Sequence, residues 1–159
     1  KALPTAVPVS AALAAARVGM DITIAAPEGC DLDPEDVARI QSLAREAGGG
    51  AIAVVQDQSA AIAGADAVYA KSWGPVSLFG QPEAQRAWFD RSRGWRLTAE
   101  QMRTTRGGRG IAMHCLPVRR NVEVDDAVLD GPQSVVVDEA ENRLHVQRAL
   151  LLSMIGSVR

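Results

Sequence analysis

Cysteine is scarce in this chain: Cys30 and Cys115 are the only two, far apart and outside any C-x-x-C pair. That spacing excludes a disulfide framework and a zinc cluster, and makes a reducing, cytoplasmic compartment the expectation. Charge of one sign is also missing. Seventeen basic against nineteen acidic residues leave a net charge of −2, so no global field draws the chain to nucleic acid or an anionic membrane. Aromatics make up 4% of the residues; the basic loop of Arg103, Arg106 and Arg109 has none interleaved and reads as a solvated loop, not a nucleic-acid contact. No apolar run approaches the roughly 20 residues of a membrane span, and no basic-then-apolar leader opens the chain. The glycine pattern G-x-G-x-x-G after a first strand is absent, which leaves nicotinamide binding little support. What remains is one domain's length, 159 residues with 47% hydrophobic content, enough for a core.

Within that frame one run stands out. Gly110-Ile111-Ala112-Met113 reads as a buried strand that feeds directly into His114-Cys115-Leu116-Pro117-Val118-Arg119-Arg120-Asn121. A thiol, an imidazole and two guanidinium groups therefore gather at a strand's carboxyl end, where open α/β sheets bind ligands. Pro117 breaks the strand and removes a backbone donor.

The rest of the chain alternates helical and strand patterns. Expected helices cover Ser10 to Val18, a stretch capped by Asp33 with Pro34 at its first position, Ser59 to Ala63, Pro82 to Asp90, Thr98 to Thr104, Asp125 to Leu129, and Glu139 to about Ile155. Expected strands are Asp21 to Ala26, Ala51 to Val55, Ala67 to Ala70, the run into His114, and Ser134 to Val137. Strand and helix in alternation imply an α/β fold, a Rossmann-like, doubly wound and mostly parallel sheet. Such a unit should begin with a strand, yet Lys1-Ala2-Leu3-Pro4 reads as a loop running into a helix. The expectation is a C-terminal portion of a longer polypeptide, lacking a strand near its sheet's centre. A central parallel strand is paired on both sides and buried on both faces, so residues 1–159 alone are expected to be unfolded or aggregated.

Three ordered motifs carry a resemblance: Tyr69-Ala70-Lys71-Ser72-Trp73-Gly74, Met113 to Asn121, and Asp138-Glu139-Ala140-Glu141-Asn142-Arg143-Leu144-His145. Together they resemble the C-terminal, amino-acid-binding half of the aspartate/ornithine carbamoyltransferases, from Pro4 to Ala149. The resemblance is greater to the branch acting on N-acetylornithine than to the ornithine branch. Ornithine enzymes carry Asn-Asn where this chain has Thr5-Ala6, D-x-W-x-S-M-G where it has Lys71-Ser72-Trp73-Gly74, and Ala-His-Arg-Gly where it has Val118-Arg119-Arg120-Asn121. These departures touch the α-amino and α-carboxyl end of the substrate. An acylated nitrogen is neutral and leaves only the carboxylate as a charge, which Lys71 suits; Trp73 packs the lysine stem or the acyl group.

The resemblance implies that the δ-amine of N-acetyl-L-ornithine attacks carbamoyl phosphate, giving N-acetylcitrulline and phosphate in arginine biosynthesis, with no metal or cofactor. It implies Cys115 and the Leu116 backbone against the reacting groups, Arg143 and His114 near the carbamoyl oxygen, and Pro117, Arg119, Arg120 and Asn121 at the substrate mouth. One of the two arginines is expected to bind ligand and the other to lock the loop onto Glu123, Asp125 or Asp126. At the Glu123 position some acetylornithine enzymes carry a lysine reported as carboxylated; glutamate supplies a carboxylate directly. N-succinylornithine enzymes share the Lys-x-Trp and HCLPVRRN patterns, and acetyl is favoured over succinyl. The implied partners are an N-terminal carbamoyl phosphate domain of the same polypeptide and two further subunits of a homotrimer, with the N-terminal half supplying the phosphate loop. Residues 1–159 would then be inactive in isolation. Two other readings are a non-catalytic Rossmann-like binding module and a Cys115 thiol nucleophile with His114 as its base. The second is geometrically poor, because neighbours on an extended segment point to opposite faces.

Overall fold

The computed structural model describes residues 6–156; the expected loop 1–4 and Thr5 lie outside them. Helix α1 (Ala6–Arg17) begins four residues before the expected start. It is followed by β1 (Ile22–Ala25), α2 (Pro34–Glu46), β2 (Ile52–Val55), α3 (Gln58–Ile62) and β3 (Ala67–Tyr69). A 3₁₀ turn at Val76–Leu78, α4 (Pro82–Arg91), α5 (Ala99–Arg103) and a second 3₁₀ turn at Arg106–Gly108 lead to β4 (Ile111–Met113), and α6 (Asp126–Leu129) and α7 (Val136–Gly156) complete the order.

Local chemistry sets these boundaries. The Asp33 carboxylate accepts from the Glu35 amide at 2.8 Å, with Pro34 at the first helical position, where its missing N–H costs nothing. Asp57 caps α3 through the Ala60 amide at 3.0 Å. Thr98 and Gln101 form a reciprocal capping box on α5. Ser134 to Val137 departs from the expected strand. Only a single parallel bridge joins Ala112 to Ser134, and α7 has already begun at Val136. The acids Asp138 and Glu139 in its first turn suit the positive end of the helix dipole, so helix propagation wins over a fourth strand residue.

The α/β architecture is built from parallel pairs. Strand β1 pairs with β2 from Ile22↔Ile52 to Ala25↔Val55, and β3 with β4 from Ala67↔Ile111 to Tyr69↔Met113. Among the described residues no ladder joins the two pairs. Instead a cavity of about 310 Å³ opens between β1 and β3, lined by Ala11, Ala12 and Ala15 of α1, Ile24 and Val68. That is where the expected first strand would lie. The core is split accordingly: Ala12, Ala16, Ile40 and Ala44 pack on one side, and Ile62, Leu97, Met102, Ala112, Val124 and Val128 on the other.

Strand β4 needs its leading glycine. A Cβ at Gly110 would stand 2.6 Å from the Thr105 Cβ and 2.8 Å from the Ala65 carbonyl oxygen. The Gly110 amide donates to Thr105 Oγ1 at 3.0 Å, which ties the strand's start to the buried end of α5. β3 and β4 thus deliver Tyr69 and His114 to the same carboxyl edge.

Candidate active site

Beyond β4 the chain turns sharply. His114 is 1% exposed, and its Nδ1 accepts from the Leu116 amide at 2.9 Å. A ring nitrogen that accepts carries no proton, so the proton sits on Nε2, which donates to Glu123 Oε2 at 3.1 Å. Both ring nitrogens are committed, so the imidazole offers no free donor to a carbonyl oxygen. What it does instead is hold Leu116, whose φ of +48° lies in the left-handed region that costs an L-residue about 1–2 kcal/mol. The Leu116–Pro117 peptide is cis.

Glu123 is the buried hub beneath this turn. Besides His114 it accepts from Ser72 Oγ at 2.5 Å, from Arg119 Nε at 2.6 Å and from the Arg119 amide at 3.2 Å. Burial alone would raise its pKa; hydrogen bonds from His114, Ser72 and Arg119 outweigh that and hold it at about 2. The carboxylate therefore joins the loop after β3 to the loop after β4. The Arg119 guanidinium also lies over Phe89, 5.4 Å from the ring centroid.

Arg120 and Asn121 face the other way. Arg120 forms ion pairs with Asp126 at 2.7 Å and Asp130 at 2.8 Å, about half-exposed. Asn121, at φ +58°, donates to Asp126 Oδ2 at 2.7 Å and accepts from the Asp126 amide at 3.1 Å, fixing the start of α6. Both arginines, and not one of them, thus lock the loop, Arg119 onto Glu123 and Arg120 onto Asp126 and Asp130, and neither lines the cavity between β1 and β3 or the one beside Cys115.

Lys71, Ser72, Trp73 and Glu123 line the 310 Å³ cavity. Among the described residues, no hydrogen bond or ion pair engages the Lys71 ammonium. Trp73 is 7% exposed and stacks against Phe89 at 5.2 Å and edge-on to Trp88 at 5.6 Å, while its buried Nε1 has no partner. A buried indole N–H usually finds one, so among the described residues this donor is left unsatisfied beside the cavity. Cys30, from the loop after β1, also lines this cavity; burial pushes its thiol up to about 11, so it is no thiolate nucleophile.

A second cavity, about 440 Å³, is lined by His114, Cys115, Leu116, Glu139, Ala140 and Arg143. Tyr69 belongs to both cavities and stands at their junction. Its hydroxyl donates to Glu139 Oε1 at 2.6 Å, and Tyr69 shares the lining of the second cavity with Cys115. Burial first, and then the Glu139 carboxylate, raise the Tyr69 pKa above its ordinary value, so the phenol stays protonated. Glu139 Oε2 accepts the His114 amide at 3.0 Å. Arg143, one helical turn on from Glu139, is exposed, and among the described residues no carboxylate engages it. His145 is on the surface, 3.6 Å from Glu141.

Sequence reasoning did not assign Tyr69, Ser72 or Glu139. The signal was present: Tyr69 and Lys71 are two apart at a strand end and share a face, and Glu139 and Arg143 are four apart on a helix.

A parallel α/β sheet whose strand ends present a cation, an indole, a thiol and a guanidinium around joined cavities defines a small-molecule binding domain. The chain belongs to the aspartate/ornithine carbamoyltransferase family: the model of that family's Asp/Orn binding domain matches residues 5–154. It is similar to the N-acetylornithine carbamoyltransferase of Xanthomonas campestris pv. campestris, 40% identical over 159 residues, covering all of this chain and 46% of that protein. The ornithine carbamoyltransferase of Symbiobacterium thermophilum is 44% identical over 136 residues, covering 86% of this chain and 42% of that one. A crystal structure of N-acetyl-L-ornithine transcarbamylase superposes with a TM-score of 0.88 at 42% identity, over 96% of this chain and 46% of that one. Another, of acetylornithine transcarbamylase complexed with acetylcitrulline, gives 0.87 at 42% identity, over 96% and 45%. The chain thus spans a little under half the length of the relatives it matches.

Proposed function

We propose that residues 1–159 form the amino-acid-binding half of a carbamoyltransferase that carbamoylates the δ-amine of N-acetyl-L-ornithine in arginine biosynthesis. The observation that carries this reading is the pair of cavities meeting at Tyr69, one lined by Lys71 and Trp73 and the other by Cys115, Leu116 and Arg143. Lys71 receives the substrate's α-carboxylate, and the partnerless Trp73 N–H faces an acyl or carboxylate oxygen. The one carboxylate that shares this cavity with Lys71 among the described residues, Glu123, is already spent on Ser72, His114 and Arg119, so an acylated nitrogen suits this cavity better than a free α-ammonium.

In the reaction the amine lone pair attacks the carbamoyl carbon. A carbon–nitrogen bond forms, the carbon–oxygen bond to phosphate breaks, and the proton the amine gives up leaves on the departing phosphate. Arg143, a permanent and forked cation, stabilises the oxygen that gains charge in the tetrahedral intermediate. Cys115 and the Leu116 backbone hold the reacting groups together, which supplies rate by positioning. Pro117 ends the strand at that wall, and Arg119 steadies Glu123 at the substrate mouth. The His114 ring acts through Leu116 and Glu123. The phosphate is bound by an N-terminal domain of the same polypeptide, in a cytoplasmic homotrimer.

The test is a ureido-product assay on the full-length enzyme with N-acetylornithine, N-succinylornithine and ornithine in parallel. N-acetylornithine is expected to give the highest kcat/KM, and Lys71→Ala to raise the KM for it at least about tenfold, the scale of one lost charged hydrogen bond, with that for carbamoyl phosphate much less affected. Equal effects on both substrates would remove Lys71 from the carboxylate, and preference for free ornithine would overturn the acyl assignment.

A further inference from the structure

Glu139 and Tyr69 occupy a place that the reaction chemistry leaves unexplained. Neither supplies a charge or a nucleophile to carbamoyl transfer, yet Tyr69 lines both cavities and Glu139, on the wall of the second, is bonded to it. Three elements converge there: the end of β3 through Tyr69, the end of β4 through the His114 amide, and the first turn of α7 through Glu139. The carboxylate spends one oxygen on each strand, at 2.6 Å to the Tyr69 hydroxyl and 3.0 Å to the His114 amide. The bonded amide belongs to the residue immediately before Cys115, and the bonded phenol shares the lining of the second cavity with Cys115. Four residues along α7, on the same helix face, is Arg143.

Resting on the carbamoyl-transfer reading above, we propose that Glu139, with Tyr69 as its partner, is a positioning residue that sets the distance between Cys115 and Arg143. α7 touches the rest of the described chain little: from Val137 onward its residues are exposed apart from half-buried Glu139. Among the described residues few other contacts fix its angle to β4. Two hydrogen bonds to one carboxylate are then a large share of what fixes the guanidinium relative to the thiol wall. Their loss should be felt as lost alignment in the transition state, where a displacement of 1 Å costs roughly 10²-fold in rate. The carboxylate's charge is not required. A glutamine can accept the His114 N–H with its oxygen and donate to the Tyr69 hydroxyl with its amide, so the same geometry survives.

The full-length enzyme tests this with Glu139→Ala, Glu139→Gln and Tyr69→Phe, each checked for an unchanged Tm. Glu139→Ala is expected to lower kcat by about 10- to 100-fold with KM for both substrates within about threefold. Glu139→Gln should keep kcat within about threefold of wild type, and Tyr69→Phe should fall between the two. In parallel, the alkylation rate of the Cys115 peptide by a maleimide, followed by mass spectrometry, should rise several-fold in Glu139→Ala and Tyr69→Phe but not in Glu139→Gln. Equal loss of kcat in the alanine and glutamine variants would make Glu139 a charge used directly and overturn the proposal. So would a change confined to KM, or an unchanged alkylation rate in Glu139→Ala. If the wild-type enzyme forms no ureido product from any ornithine derivative, the functional reading fails, while the alkylation series still decides whether Glu139 fixes the Cys115 wall.

Discussion

Glu123 shows how one buried side chain organises two loops. It is 3% exposed, with donors from His114, Ser72 and Arg119 around it. Its pKa is depressed from the ordinary carboxylate value of 4.5 to about 2, so the folded protein prefers the ionised form more than the unfolded chain does. The resulting stabilisation, about 3 kcal/mol, is fully present above pH 4.5 and is lost as pH falls from there through about 2. Replacing Glu123 with Gln in the full-length protein should cost roughly 2–3 kcal/mol at pH 7, since an amide nitrogen meets donors where a carboxylate met them. It should also flatten the dependence of the urea midpoint on pH between 4.5 and 2. The same slope in both proteins would show that Glu123 is not ionised in the hub. Residue chemistry at this site was only partly legible in sequence. A loop-locking arginine was foreseeable from Glu123 and Asp126, two and five residues past Asn121; that both arginines lock it, each onto a different acid, goes with the turn at Asn121, whose φ is positive.

At the level of elements, β4 is the rail on which the site runs, and its placement depends on the absence of a side chain at Gly110. Its backbone holds no positive φ, so the requirement is space alone: Thr105, 3% exposed, and the Ala65 carbonyl leave no room for a methyl group. Gly110→Ala should destabilise the full-length protein by about 1–3 kcal/mol, the usual cost of overpacking. Gly94→Ala is the matched control, because nothing lies within 4 Å of a Cβ there and no positive φ is imposed; its Tm should stay near that of wild type. Equal shifts in the two variants would mean that β4 adjusts freely against α5. The order of elements was readable because Pro34, Thr98 and the apolar runs are strong local signals. Ser134 to Val137 was misread because three valines favour a strand locally, while Asp138 and Glu139 and the packing of Val136, which is 6% exposed, draw the segment into α7. The bond between Tyr69 and Glu139 spans 70 residues, and no local periodicity encodes a contact of that range.

For the whole molecule, the governing fact is that two parallel strand pairs face each other without joining. The inner edges of β1 and β3 carry no ladder among the described residues, and the cavity between them is walled by alanines of α1 and by Ile24 and Val68. Parallel strands are normally paired on both sides and covered on both faces. The four strands among the described residues leave two inner edges without a ladder, and buried backbone donors and acceptors without partners each cost about 1–3 kcal/mol. The outer half of α7 adds apolar area in water: Leu150, Leu151, Leu152, Met154 and Ile155 are all more than half exposed, a patch of the kind that drives association. Against a typical net stability of about 5–15 kcal/mol, a handful of open backbone groups is decisive. Residues 1–159 expressed alone are therefore expected to be aggregated or to lack a cooperative thermal transition, and to show no ureido-product formation. A sharp two-state melt of the isolated chain as a monomer, seen by calorimetry and light scattering together, would show that α1 closes over the gap between β1 and β3 and that the two cores suffice by themselves.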